Sequence, residues 1–219
     1  MGGLLNVILS RGSFIDIIAC IISSAIVVFV TLPIHEYAHG FAAYKLGDPT
    51  AKYQGRLTLN PLAHLDLMGS AMILIIGFGW AKPVPVGMHY FKNPKRDMAI
   101  TALAGPLSNF LVALLVGIFS YPVLSLASET QNMLPTILFY VMQYLVIFNL
   151  YIGLFNLIPI APLDGSRILS AILPNRYYYT IMRLERYSFL IIVLLFYVFN
   201  VGAGLSNIAY SIFGGIFRL

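Results

Sequence analysis

The chain has 219 residues, of which 59% are hydrophobic and only 10% are charged. With a mean hydropathy of +0.87, this composition excludes a soluble globular domain and is typical of an integral membrane protein. The net charge of +5 falls in the predicted loops, where it bears on membrane orientation and does not indicate nucleic-acid binding. A single cysteine, Cys20, excludes an internal disulfide, and we predict one membrane-embedded domain over residues 1–219.

The first apolar segment, residues 14–46, is longer than a hydrocarbon layer requires, and Pro33 predicts a kink or a restart within it. His35 and His39 follow at a spacing that puts them on one face of a helix, where they can share one metal ion. Glu36 is placed to accept a proton from a water at that metal. In a soluble protein such histidines are often ordinary surface residues, but ionisable groups directly after a membrane-length segment favour a metal site.

The region after this segment changes character. Residues 56–60 alternate as a strand does, and the proline-bearing residues 82–86 form an extended piece that can pair only along an edge. Between them, residues 67–79 are too short for a full span, which predicts a re-entrant piece. His64 and Asp66 are either metal ligands or, in the interpretation that we favour, a loop-bonded histidine and a helix cap.

Two further apolar segments, residues 98–126 and 134–158, are long enough to span a membrane. Small residues at 104–106 allow close contact between helices. Asn109 either makes a hydrogen bond between helices, which we favour, or belongs to the site. The second of these segments ends at two prolines and the turn formed by residues 164–165.

A catalytic zinc site keeps three protein ligands and one open position, so the two histidines need a third partner. We favour the acid after the proline-broken end of the long apolar segment, because that end can hold it at membrane depth inside the protein. The candidates are Asp164, Asp66, His64 and Glu129.

Basic and aromatic residues close to the C-terminus predict an interfacial belt on the anionic face of a bilayer. Residues 187–217 form either one long span or two short ones. We therefore predict an all-α polytopic membrane protein with about four to six transmembrane helices, a re-entrant segment, and short membrane-associated strands between the first two core helices. The belt comprises Arg167, Arg176, Arg183, Arg186 and the tyrosines at 177–179.

Two motifs occur together in this chain: His-Glu-x-x-His at residues 35–39 and Asn-x-x-Pro-x-x-Pro-Leu-Asp-Gly at residues 156–165. The pair resembles the site-2 protease family of intramembrane zinc metalloproteases. The resemblance covers about residues 15–175, and residues 79–86 and 104–109 also look like family features. Many relatives carry a PDZ or CBS domain, for which we expect no room in this chain.

The resemblance implies that His35, His39 and Asp164 bind one zinc ion per chain. It also implies that Glu36 is the general base and that Asn156 contacts the substrate or stabilises the oxyanion. The expected activity is cleavage of peptide bonds in or near the transmembrane segments of membrane proteins. Both the enzyme and its substrates are expected to lie in the lipid bilayer. An unwound substrate could add to one of two extended edges, formed by Arg56, Leu57 and Leu59 or by Val84 and Val86.

Three alternatives remain open at this point. The chain could be an inactive relative that binds membrane proteins, or a transporter in which the histidines and aspartate carry protons. A third alternative is another membrane peptidase of the prenyl-protein type, which would use a glutamate such as Glu129 as its third ligand.

Membrane orientation follows from the need to bring His39 and Asp164 to one side. This requires residues 67–79 to return to the side from which they start. Most lysines and arginines then share that side, which by the positive-inside rule is the cytoplasm. We expect a protein of a prokaryotic cell membrane whose active site faces the cytoplasmic half of the bilayer.

Overall fold

The computed structural model describes residues 4–77, 79–130, 132–174, 185–197 and 200–217. The protein is an all-α membrane protein, as the composition predicts. In chain order the α-helices of these residues are α1 (Leu4–Leu9), α2 (Phe14–Lys45), α3 (Thr50–Tyr53), α4 (Leu67–Ile76), α5 (Pro94–Thr130), α6 (Met133–Asn156), α7 (Asp164–Ile172), α8 (Ser188–Tyr197) and α9 (Val201–Phe217).

Within the described part of the chain, three helices are long and apolar enough to cross a membrane: α2, α5 and α6, with 32, 37 and 24 residues. This is fewer than the four to six spans that the sequence predicts. The C-terminal apolar region forms two shorter helices, α8 and α9, of 10 and 17 residues. The predicted belt lies partly outside the described residues, because Arg176, Arg183 and the tyrosines at 177–179 fall between 174 and 185.

Helix α2 passes through Pro33 without a break. Ser13 and Asp16 cap its first turn reciprocally, which satisfies backbone N–H groups at the helix start. Immediately before the proline, Val27–Thr31 widens into a π-helical turn. Proline lacks the N–H that an α-helix interior needs, and the wider turn accommodates it, so the helix does not restart at Pro33.

Helix α4 lies in the segment that the sequence predicts to be re-entrant. Its 10 residues extend about 15 Å, roughly half of a hydrocarbon layer, which is too short for a full span. Asp66 caps its N-terminus by accepting a hydrogen bond from the Gly69 N–H. Gly77 ends it with φ of 83°, a left-handed conformation that glycine adopts readily.

Helix α6 lies at the centre of the bundle. Its Val141, Leu145 and Phe148 form a buried apolar cluster with residues of α2, among them Val27 and Val28. On another side, α6 packs with α5 and α9 through a second cluster made of Ala113, Val146, Leu150 and Ala209. The bundle therefore brings α2, α5 and α6 into mutual contact.

The short strands expected between the first two core helices do not form in the described residues. Residues 57–60 and 79–87 have no regular secondary structure, with bends at 57 and 58, and carry no ladder of backbone hydrogen bonds. The Arg56 side chain instead joins the two stretches by donating to the carbonyl oxygens of Lys82 and Pro83. Pro83 and Pro85 lack the N–H donors that a strand at this place would need.

Candidate metal centre

Three side chains from distant parts of the sequence meet between the helices. His35 and His39 project from α2, and Asp164 begins α7. Asp164 Oδ2 lies 3.4 Å from His35 Nε2 and 3.2 Å from His39 Nε2, while the two Nε2 atoms lie 3.0 Å apart. Both histidines are buried, with 5% and 8% of their surface exposed.

The hydrogen bonds around this cluster leave three lone pairs facing one another. His39 Nδ1 lies 2.7 Å from the carbonyl oxygen of Thr101, and His35 Nδ1 lies 2.6 Å from Asn109 Oδ1. Each Nδ1 therefore carries the proton of its neutral imidazole, and each Nε2 presents a lone pair. The buried Asp164 Oδ2 accepts no hydrogen bond. The two Nε2 atoms and Asp164 Oδ2 thus direct lone pairs toward one point, and in this arrangement none of them carries a hydrogen.

These donors fit zinc. Zinc–nitrogen and zinc–oxygen bonds of about 2.0–2.2 Å in a tetrahedral site put ligand atoms roughly 3.3 Å apart. The separations of 3.0 to 3.4 Å between the donor atoms of His35, His39 and Asp164 match that value. Two imidazoles and one carboxylate also leave one tetrahedral position open, as catalytic sites do.

Gly105 of α5 lets the helix approach both imidazoles. A Cβ added at this position would lie 2.7 Å from His35 Cε1 and closer still to His39 Nε2. Neither contact is sterically tolerable, so only glycine fits beside the donors. The small residues at 104–106 therefore allow a close helix contact, as the sequence predicts.

Asp164 reaches the site because the chain turns sharply after α6. The turn is followed at once by α7, whose first residue is Asp164. A Cβ at Gly165 would collide with the carbonyl oxygens of Leu157 and Ile158, so glycine is needed for the turn to close against the end of α6. The proline-broken helix end thus holds the acid against α2, in the position favoured from the sequence.

Glu36 is half-buried, and one of its carboxylate oxygens has a fixed partner. Its Oε2 accepts a hydrogen bond of 2.9 Å from the backbone N–H of Val84. That donor stands alone between Pro83 and Pro85, which have no N–H. The other oxygen, Oε1, is not held by this bond. The carboxylate is therefore fixed in one orientation, and Oε1 can still accept a proton or a hydrogen bond.

The other candidate ligands lie elsewhere. His64 is buried and its Nε2 lies 2.8 Å from the Thr58 carbonyl oxygen, and Asp66 caps α4. Both are in the arrangement that we favour from the sequence. Glu129 is exposed in the last turn of α5 and accepts a hydrogen bond of 2.9 Å from Ser125 Oγ.

Asn156 is the last residue of α6 and is half-buried. Its Nδ2 donates a hydrogen bond of 3.0 Å to the Ile152 carbonyl oxygen one turn earlier in the helix. Its amide oxygen is therefore not committed by this bond. A role toward the substrate stays a prediction.

Two of the residues predicted to bind substrate, Leu57 and Val84, lie beside the helix turn that follows Glu36. A Cβ at Gly40, one turn after Glu36, would be 3.4 Å from Val84 Cγ1 and 3.5 Å from Leu57 Cδ1. Leu59 is 57% exposed, Val86 is partly buried, and the Arg56 guanidinium is engaged by backbone carbonyls. Substrate contact by all five residues, Arg56, Leu57, Leu59, Val84 and Val86, stays a prediction.

Sequence reasoning considers Asn109 but misses Asn149, the buried amide to which it is bonded. Asn109 bonds to His35 as well as to another helix, so the two roles considered for it coexist. Asn149 is fully buried in the middle of α6. The available signal is a polar residue inside an apolar run, which is costly there unless it serves the structure or the function.

A donor set of this kind, buried between apolar helices and accompanied by an oriented glutamate, defines a metalloenzyme of the membrane. Comparison with known proteins specifies the class further. The family model described as "Peptidase family M50" matches residues 120–199. No solved structure matches the chain.

Curated relatives share most of the chain. It is 40% identical over 176 residues to "Putative zinc metalloprotease YwhC" of Bacillus subtilis, an alignment covering 78% of each chain. It is 29% identical over 171 residues to "Putative zinc metalloprotease Rip2" of Mycolicibacterium smegmatis, covering 76% of this chain and 63% of the relative. It is 30% identical over 154 residues to "Zinc metalloprotease MJ0392" of Methanocaldococcus jannaschii, covering 70% of this chain and 35% of the relative.

The chain therefore belongs to peptidase family M50, and it is an integral membrane zinc metalloprotease. This confirms the resemblance drawn from the two motifs.

Proposed function

We propose that this protein is an intramembrane endopeptidase that cleaves peptide bonds in or near the transmembrane segments of other membrane proteins. The observation that carries the proposal is the position of the donor set. His35 and His39 are buried within α2, and Asp164 follows the turn after α6; both helices are long and apolar enough to span. A site at that depth is suited to segments that lie in the bilayer.

In the proposed mechanism, His35, His39 and Asp164 hold zinc. A zinc ion held there would supply Lewis-acid chemistry, making a water more acidic and polarising the scissile carbonyl. Glu36 accepts the proton from the attacking water and passes it to the leaving amine. The hydrogen bond from the Val84 N–H keeps the Glu36 carboxylate facing the reaction in one orientation.

Asn156 is proposed to stabilise the negative charge that develops on the carbonyl oxygen. Its Nδ2 carries two hydrogens, so one can stay on the Ile152 carbonyl oxygen while the other is donated to the substrate. Preorganised or recruited donors of this type typically contribute about 100- to 1,000-fold to turnover.

Substrate helices must unwind locally, because their carbonyl groups are otherwise hydrogen-bonded within the helix. Residues 57–59 and Val86 offer the remaining edges for such a segment. The backbone around Val84 is less available, since its N–H binds Glu36 and the Lys82 and Pro83 carbonyls bind Arg56. The Thr58 carbonyl is engaged by His64 in the same way, so a substrate strand would use other backbone groups of residues 57–59 or those of Val86.

We further propose that residues 1–219 act as one catalytic unit in a prokaryotic cell membrane. The short α4 supports a re-entrant path in which the loops on both sides of it share one face. Those loops carry lysines and arginines, so the positive-inside rule assigns that face to the cytoplasm.

The test is the Glu36→Gln variant, assayed for zinc content and for cleavage of a reporter protein with one transmembrane segment. Zinc content is expected to match the wild type while cleavage is lost, because the change removes the base and leaves all three ligands. Glu129→Gln is the matched control, since Glu129 is an exposed glutamate at the end of α5. Cleavage by Glu36→Gln at the wild-type rate refutes the mechanism, and solute flux without cleavage would indicate a transporter.

A further inference from the structure

A line of buried side-chain hydrogen bonds leads from His35 away from the other two donors. His35 Nδ1 lies 2.6 Å from Asn109 Oδ1, and Asn109 Nδ2 donates to Asn149 Oδ1 at 3.2 Å. Asn149 Nδ2 donates to the Leu145 carbonyl oxygen at 2.9 Å and approaches Thr31 Oγ1 at 3.4 Å. Thr31 is one helical turn before His35, so the line joins α2, α5 and α6 at the depth of the donors.

These groups are withdrawn from solvent and from lipid. Asn109, Asn149 and Thr31 expose 1%, 0% and 2% of their surface. Burying an amide without partners costs several kcal/mol in apolar surroundings, and here each amide is paired. None of the three takes part in the proposed proton transfer or in holding charge on the substrate.

The direction of the bonds is set at the end farthest from the site. The Leu145 carbonyl oxygen can only accept, so Asn149 must turn its nitrogen toward Leu145 and its oxygen toward Asn109. Asn109 must then donate to Asn149 through its nitrogen. This turns the Asn109 oxygen toward His35. An oxygen acceptor at that place requires the proton of His35 to be on Nδ1.

We propose that Asn109 and Asn149 are positioning residues that fix the tautomer and the ring orientation of His35, so that Nε2 presents its lone pair to zinc. The inference rests on the ligand set proposed above. It also distinguishes the two histidines. His39 is oriented by the backbone carbonyl of Thr101, whereas His35 depends on two side chains.

The experiment measures zinc affinity by competition with a chelator, independently of catalysis. Removing a hydrogen-bond partner of a metal-bound histidine typically weakens binding about 10- to 100-fold, and we expect this for Asn109→Leu. Asn149→Leu should weaken binding as well. The double variant should bind no more weakly than Asn109→Leu, because Asn149 acts through Asn109.

Ser120→Ala is the matched control. Ser120 is a buried polar residue of the same helix as Asn109, and its hydroxyl donates to the Gly117 carbonyl oxygen within that helix. Zinc affinity should stay at the wild-type value. Wild-type affinity in Asn109→Leu, or additive losses in the double variant, would overturn the proposal.

Two further measurements keep the test decisive. If Asn109→Leu does not fold, nitrogen NMR of the cadmium-loaded wild type reports the tautomer directly: metal coupling at Nε2 of His35 is expected, and coupling at Nδ1 would overturn the proposal. His35→Ala separates the two levels of inference. Retained zinc in that variant refutes the ligand set, whereas lost zinc together with normal affinity in Asn109→Leu refutes only the positioning role.

Discussion

The closest packing around the donors occurs at Gly105, and Gly105→Ala is the sharpest steric test of the site. The new Cβ would lie 2.7 Å from His35 Cε1, so that ring must move by about 0.7 Å to reach an ordinary contact. The His39 ring must move further. Zinc coordination tolerates deviations of only about 0.2 Å, so the added methyl group displaces ligands beyond that limit.

The free energy of unfolding should respond much less than the metal site does. Alanine is favoured over glycine in a helix interior by about 1 kcal/mol, while overpacking typically costs about 1–3 kcal/mol. The two effects largely cancel, leaving at most about 2 kcal/mol of destabilisation. Zinc binding should nevertheless be lost, and cleavage should fall by at least about 100-fold, because reacting groups are misplaced by the better part of an ångström.

The assay compares zinc per protein after dialysis, thermal unfolding in detergent, and cleavage of a transmembrane reporter. Gly204→Ala is the matched control, since Gly204 is helical and a Cβ there meets no atom within 4 Å. That control should keep its zinc and its activity. A Gly105→Ala variant with full zinc content and normal cleavage would refute the close approach of α5 to the histidines.

Asp164→Ala should lower zinc from about one ion per chain to far less, measured by elemental analysis; an unchanged content would exclude Asp164 as a ligand. Asn156→Ala should keep zinc and reduce turnover by roughly 100- to 1,000-fold, whereas an unchanged rate would make Asn156 a purely structural helix-end residue. In a Cys20→Ser background, cysteines at Lys52 and Lys92 should react with an impermeant thiol reagent from the same, cytoplasmic side. Labelling from opposite sides would contradict the re-entrant α4.

Local spacing was enough to predict part of the site. The separation of His35 and His39 fixes one face of a helix, whatever the rest of the fold does. Asp164 required more, because nothing in the physical chemistry of residues 157–165 says which helix their turn approaches. The motif resemblance favoured that acid, and the structure brings it to within 3.4 Å of both Nε2 atoms.

The extended region between α2 and α5 shows where pattern reasoning fails. Alternation at residues 56–60 is typical of a strand, but a strand also needs a partner with free backbone groups. The structure uses those groups otherwise, with Arg56 binding two carbonyls and Val84 binding Glu36. Such competition between side chains and a ladder depends on tertiary contacts that no local pattern encodes.

The buried amides were visible in the sequence but not interpretable from it. Asn109 and Asn149 are 40 residues apart, and their pairing depends on how α5 and α6 are rotated about their axes. Hydropathy identifies both helices and leaves this rotation open. The same freedom explains why Asn109 could be assigned to a helix contact without its bond to His35.

The π-helical turn at Val27–Thr31 determines the direction in which His35 and His39 point around the axis of α2. Such a turn adds one residue without adding rotation, and each α-helical residue advances the chain by about 100°. Ser23 bonds to the Val141 carbonyl on α6, and with the extra residue His35 lies only about 20° away from Ser23 around the helix. In an uninterrupted α-helix of unchanged length the offset would be about 120°, a rotation of about 100° away from the position that His35 occupies. The turn thus sets the rotational phase of the whole site: closing it into an α-helix at unchanged length would rotate both histidines, whereas closing it by deleting one residue would leave their direction unchanged.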